Sequence, residues 1–290
     1  MKKLLLIDSH ALIHRMYHAM APLTTPAGEP IGAVYGLSQL LLRMMTEVVR
    51  PDYVVACFDR PEPTFRKEMF PEYKAQRQPT PPDLIGQLIK SREVFEKFKI
   101  KMFELPGFEA DDLIATLATK LHKEKDLQVS ILTGDRDLLQ LVHGDHIVVE
   151  LFKNGGGETT HMNEEAVKGK YGLLPAQIVD LKGLIGDPSD NIPGIMGVGE
   201  KTATPLLQEF ETVEGVFDNL VIVPEKTAKK FKGQLEIAMK CKKLATLERN
   251  APIYFDSLDD LRALPLDTQL LTDYFNSLGF ASLVRRLQEG

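Results

Sequence analysis

The chain has 290 residues, 43% of them hydrophobic, and a net charge of −6; that apolar fraction fits one large domain or two modest ones and excludes a disordered chain. No apolar run reaches a membrane span, and the four apolar residues between Lys3 and Asp8 are too short for a signal-peptide core, so a cytoplasmic location with no membrane partner is expected. Cys57 and Cys241 are far apart, and Cys57 falls within a strand-like run, which excludes a disulfide framework and a zinc cluster.

The first element is an apolar strand from Leu4 to Ile7 that ends on Asp8. His10, His14 and His18 follow on one helical face, with Arg15 beside them. Three imidazoles at that spacing suit zinc or copper. An exposed or DNA-facing helix edge, with Arg15 as a phosphate contact, explains them without a metal. Ala33 to Val48 has helical apolar spacing, and Tyr53 to Phe58 is a second strand running into Asp59. From Phe65 to Arg77 basic and aromatic residues interleave, Arg66, Tyr73, Lys74 and Arg77 among them, ahead of prolines 79, 81 and 82. Bases of a single strand stack on such rings while Lys and Arg follow the backbone, although a surface insertion has the same composition.

Helical spacing resumes from Leu84 to Phe98, and the strand-like Met102 to Leu105 is broken by Pro106-Gly107. The next helix, Ala110 to Leu121, opens on Glu109, Asp111 and Asp112, where the helix dipole favours acids. Ordinary capping explains these three acids on their own. Val129 to Leu132 leads through Thr133-Gly134 to Asp135, with Asp137 opening a short helix. Asn154 to Gly157 reads as a hairpin turn between Ile147–Val149 and Thr159–Thr160.

Asp187 and Asp190 lie in a glycine-rich stretch from Gly183 to Ala203. Its second half nearly spells a nucleotide-binding P-loop, but Glu200 intrudes between Gly199 and Lys201, and Pro193 precedes it where a strand is required. A hairpin between two helices fits better, with Gly197, Gly199 and Lys201 approaching a DNA phosphate in any sequence. A plain helix-helix turn would use the same glycines. A second basic stretch runs from Lys226 to Lys243.

Continuous apolar strands alternating with helices predict an α/β fold, a mainly parallel sheet covered on both faces. Asp8, Asp59 and Asp135 then fall beyond the carboxyl ends of three strands, where such sheets bind ligands. Adding Glu109, Asp111, Asp112, Asp137, Asp187 and Asp190 gives nine carboxylates, a set that would repel itself without cations and that suits two hard divalent ions. The nine exceed the whole negative excess, so the net charge does not exclude a nucleic-acid partner.

These motifs together, Leu6-Ile7-Asp8, Phe58-Asp59, Glu109 to Asp112, Thr133 to Leu138, Gly186-Asp187 with Ser189 to Gly194, and Gly197 to Ala203, resemble the 5′-nuclease (flap endonuclease) family, in the bacterial form that begins DNA polymerase I. The resemblance implies a PIN-like core over residues 1–170 with a helical arch at about 60–100, and a helix-hairpin-helix region over 171–290. It implies two Mg2+ or Mn2+ ions held by the nine acids, arch contacts from Arg66, Tyr73, Lys74 and Arg77, and a hairpin that in the family often carries K+. Its partners are then DNA with 5′ flaps, nicks or free 5′ ends, and polymerase domains in cis or in trans, with a monomer as the default state in a bacterial, nucleoid-associated setting. Where relatives commonly have Asp-Gly followed by Asn or Ser, this chain has Asp8-Ser9-His10. A PIN-type ribonuclease and an inert structure-specific DNA-binding protein are the competing functions.

Overall fold

A computed structural model describes residues 1–152 and 158–289; the turn expected at Asn154 to Gly157 lies outside them. In chain order the first half comprises β1 (Lys2–Asp8), α1 (Ser9–Ala19), α2 (Gly32–Arg43), β2 (Tyr53–Phe58), α3 (Phe65–Met69), α4 (Pro82–Lys97), β3 (Lys101–Glu104), α5 (Ala110–Leu121), β4 (Leu127–Thr133), β5 (Ile147–Phe152) and β6 (Thr159–Met162). The strands form one sheet in the order β3-β2-β1-β4-β5-β6, parallel except for β6, which runs antiparallel to β5.

Both faces of the central strands are buried, which is why they read as unbroken apolar runs. Leu4, Leu6, Val55, Cys57, Val129 and Ile131 pack with Leu113, Ile114 and Leu117 of α5. The alternate residues Leu5, Ile7, Val54, Ala56 and Phe58 pack with α1, α2 and α4. The chain runs outward from β1 through β2 to β3, then crosses back by way of α5 to place β4 on the other side of β1. That reversal opens a crevice at the strands' carboxyl ends.

The helix expected from Ala33 to Val48 ends at Arg43 and continues as one wide π-helical turn, Met44–Val48. The helix stops short of Pro51, which has no N–H to continue it, and Arg50 turns at φ 47° just before it. The second half of the expected arch is α4, whose Leu84, Val94 and Phe95 belong to the core. Among the described residues of the expected arch, the turn after α3 reaches the crevice, through Lys74 and Arg77.

The remaining helices are α6 (Glu164–Tyr171), α7 (Ile178–Ile185), α8 (Glu200–Phe210), α9 (Val213–Asp218), α10 (Glu225–Phe231), α11 (Leu235–Ala245), α12 (Thr268–Ser277) and α13 (Ala281–Glu289). α7 to α11 share a separate core that includes Leu184, Val198, Leu207, Val216 and Phe231. α12 and α13 return across the chain, placing Leu271, Phe275, Phe280 and Leu283 against α2 and α4. No helix among the described residues is long and apolar enough to cross a membrane.

Candidate functional site

Six segments meet at the crevice: the ends of β1, β2 and β4, the first turn of α5, the turn after α3, and the loop between α7 and α8. They enclose a cavity of about 800 Å³ lined by Asp8, Asp59, Glu109, Asp111, Asp135, Asp137 and Asp187, together with Lys74, Arg77, Lys182, His14 and Arg15. Asp8 ends β1 and caps α1, accepting from Ala11 N–H at 3.1 Å and from Thr133 Oγ1 at 2.7 Å. Asp59 ends β2 and accepts from Ala110 N–H at 2.8 Å, which ties it to the start of α5. Asp135 accepts from Asp137 N–H at 2.8 Å, so the turn after β4 orients both acids.

Asp187 and Asp190 are placed by a tight loop. Asp187 and Ile192 exchange backbone hydrogen bonds of 2.8 Å in both directions, and Gly186 and Gly194 close its base at φ +77° and +66°. A Cβ on Gly186 would sit 2.3 Å from the Ile192 carbonyl oxygen, and one on Gly194 would sit 2.3 Å from Gly186 N. Only glycine fits at either position.

The acids divide by how their charge is met. Among the described residues no lysine or arginine pairs with Asp8, Asp59, Asp111 or Asp135; His10 Nδ1 lies 3.7 Å from Asp59. Burial, then Asp59, pushes the Asp8 carboxyl up to about 7. Burial, then Asp8 and Asp135, pushes Asp111 up, and burial raises Asp135 although Lys182 opposes it. The second group is neutralised by the chain itself. Lys74 Nζ is 2.9 Å from Glu109, Arg77 is 2.6 Å from Asp190, and Lys182 contacts both Asp137 and Asp187. Burial raises Asp187, but Lys182 and Ser189 outweigh it and hold the carboxyl below its ordinary range.

The donor set is entirely carboxylate oxygen, the chemistry of hard divalent cations rather than of zinc or copper. Ligand oxygens of Asp137, Asp187 and Asp190 lie within 4.8 Å of one another, a triad able to hold such an ion. With a chelator present, the raised carboxyls should make stability fall as pH rises from about 4 to 7, because the folded chain holds protons there that the unfolded chain has lost. Melting temperatures across that range test this. A flat or rising profile would remove the self-repulsion of the first group.

Three expected site residues stand elsewhere. Asp112 is fully buried and lies outside the cavity: Arg66 donates to both its oxygens at 2.7 Å, and Glu109 N–H and Glu248 N–H donate at 3.0 and 2.9 Å. Its bonds are spent on the fold. Arg66, expected to face DNA, is 1% exposed and also donates to the Leu244 and Thr246 carbonyls, tying α3 to the end of α11. Tyr73, expected to stack on a base, is 4% exposed, with its hydroxyl 2.9 Å from Asp190 and 3.1 Å from Glu109, where it donates its one proton. Each long side chain found a deeper acceptor than solvent offered.

The histidines do not converge. His10 Nδ1 accepts from Asp59 N–H at 3.1 Å, His14 lines the cavity, and His18 packs edge-on against Tyr17. At the hairpin Gly197 adopts φ +75°, Gly199 is the N-cap of α8 and Lys201 is exposed in its first turn. Sequence reasoning missed Lys182 and Thr133. Thr133 sat in a quoted motif without a role, and Lys182 gave no signal beyond standing five residues before Asp187.

The family profile for the 5′-3′ exonuclease N-terminal resolvase-like domain matches residues 3–172, and that for the 5′-3′ exonuclease C-terminal SAM fold matches residues 173–269. DNA polymerase I of Bacillus caldotenax is 41% identical over 288 residues, 99% of this chain and 32% of that protein. The thermostable DNA polymerase I of Thermus thermophilus is 41% identical over 268 residues, covering 90% of this chain and 31% of that protein. The chain thus spans about a third of the length of these curated relatives. Among solved structures, a zinc-bound T5 5′-exonuclease superposes with a TM-score of 0.69 at 22% identity, covering 85% of this chain and 90% of its own. A T5 flap endonuclease in complex with DNA and metal ions gives 0.68 at 20% identity, over 99% and 98% of the two chains, so the PIN-like nuclease fold is shared. With both profiles matched end to end over residues 3–269, the chain belongs to the 5′-3′ exonuclease family.

Proposed function

We propose that the protein is a divalent-metal-dependent 5′-3′ exonuclease and flap endonuclease that hydrolyses DNA phosphodiesters at free 5′ ends, nicks and flap junctions. One observation carries this reading: a single cavity is lined by acids from three strand ends, a helix start and the α7–α8 loop, and by Lys74 and Arg77 of the arch turn. Asp8, Asp59, Asp111 and Asp135 would hold one Mg2+ or Mn2+, and Asp137, Asp187 and Asp190 a second, with Glu109 between the groups. Bound there, such ions lower the pKa of an attacking water and stabilise the leaving oxygen.

The chain's own residues do the rest. Lys74 and Arg77 neutralise the phosphate being cut, since both are cations at the cavity wall. Arg15 extends that track, since it lines the same cavity with its guanidinium held over the Phe152 ring. Gly197, Gly199 and Lys201 at the hairpin grip duplex backbone without reading sequence, with K+ as a further occupant of that turn. In this reading duplex binding belongs mainly to residues 171–290, while the chemistry draws on residues 1–170 together with Asp187 and Asp190 of the second region. Polymerase domains, in cis or in trans, would receive the nicked product in the bacterial cytoplasm.

The test is cleavage of a 5′-labelled flap duplex with Mg2+, beside a chelator control and a matched single-stranded RNA. Magnesium-dependent release of the flap near its junction is expected. Binding without cleavage would favour an inert module, and cleavage of RNA alone a PIN-type ribonuclease.

A further inference from the structure

Lys182 sits on the last turn of α7 with 16% of its side chain exposed, and its ammonium contacts Asp137 Oδ1 and Asp187 Oδ2 together. Among the described residues it is the one cation paired with either acid; Arg77 pairs with Asp190 instead, to which Tyr73 also donates. The helix beneath it is fixed. Leu181 and Leu184 are buried on either side, and Gly183 abuts α11 so closely that a Cβ there would meet the Lys242 Cβ at 2.9 Å. Lys182 can therefore leave the acids by rotating its own side chain but not by moving with its helix.

We propose that Lys182 is a built-in counter-cation of the Asp137, Asp187 and Asp190 group, and that it competes with a divalent ion for the same oxygens. The inference rests on the reading of those three acids as a cation site. Their ligand oxygens lie within 4.8 Å of one another, so an ion among them and an ammonium bonded to two of them cannot share the space. Two positive charges at that range, in a half-buried setting, repel strongly. Binding of the ion must expel the lysine into the cavity that Lys182 also lines. There a phosphate oxygen of the bound strand is the fitting acceptor for a freed ammonium. Ion and DNA then bind as linked ligands, each raising the affinity of the other through one side chain.

The other acids have no such competitor, since Asp8, Asp59, Asp111 and Asp135 pair with no lysine or arginine among the described residues. Lys182 is thus in direct contact with the acids of one metal and reaches the other group only through space, at Asp135. A role in holding the fold would make its loss weaken metal binding. Competition makes its loss tighten it.

The experiment is calorimetric titration of the intact chain with Mn2+, without nucleic acid, for the wild type, Lys182→Met, Lys182→Gln and Asp187→Asn, with each fold checked by its melting curve. One Mn2+ equivalent should bind about tenfold tighter in both lysine variants, the effect of removing a charged hydrogen bond that must otherwise be broken. The other equivalent should tighten far less, because Lys182 reaches it only through space at Asp135. Lys182→Gln keeps a donor to Asp137 and so guards the fold if the methionine variant does not hold it. Unchanged or weaker Mn2+ binding in a folded lysine variant overturns the proposal while leaving the cation site standing. If Asp187→Asn loses no Mn2+ equivalent, the cation-site reading itself fails, and this inference with it.

Discussion

Asp135→Ala is expected to cut a 5′-flap duplex roughly 10²–10³-fold more slowly than the wild type, while still binding it. Asp135 ends the β4 turn, lines the cavity and belongs to the group of acids with no lysine or arginine partner. Its carboxyl is raised by burial and by its neighbours, which means that its charge costs folding free energy and is retained for some other gain. Removing it relieves like-charge repulsion, so the same variant should melt no lower than the wild type in chelator. Those two readings together separate a functional acid from a structural one. Single-turnover cleavage and a melting curve on the same preparation measure them. Turnover near the wild-type rate would remove Asp135 from the reaction, and a large loss of stability would mean that its cleavage defect reports misfolding instead.

How much of this was legible beforehand follows from what each feature depends on. The sheet was, because Leu4 to Ile7, Tyr53 to Phe58 and Val129 to Leu132 are buried on both faces and therefore carry a continuous apolar signal. The convergence of Asp8, Asp59 and Asp135 followed from strand direction alone, since each stands at a carboxyl end in a parallel sheet. Side-chain direction was not legible. Glu109, Asp111 and Asp112 are neighbours in one helical turn, yet Asp111 faces the cavity and Asp112 faces Arg66, a difference of one step around a helix. Arg66 and Tyr73 lie in a segment whose basic and aromatic composition suggests an open surface. They are buried because Leu244, Thr246 and Asp190, more than a hundred residues onward, supply their partners. A charge pattern records the presence of a cation but not what meets it.

Asp112→Ala, by that logic, should fail by unfolding rather than by losing a metal. The Arg66–Asp112 pair is wholly buried, at 1% and 0% exposure, and is bidentate at 2.7 Å. Truncating the acid leaves a guanidinium out of water with the two carbonyls of Leu244 and Thr246 and the more distant Glu109 at 3.5 Å. It also strips acceptors from Glu109 N–H and Glu248 N–H. Breaking one side of such a pair costs about 3–5 kcal/mol. The melting temperature should drop by on the order of 10 °C in a chain of this size. Replacing both partners, as Arg66→Met with Asp112→Leu, removes the orphaned charge and should recover much of the loss, an outcome that a metal ligand would not give. Mn2+ stoichiometry decides between the two roles directly: Asp112→Ala, studied below its melting temperature, should bind as many ions as the wild type. A variant that melts normally but binds one ion fewer would return Asp112 to the metal site and leave Arg66 as its counter-ion there.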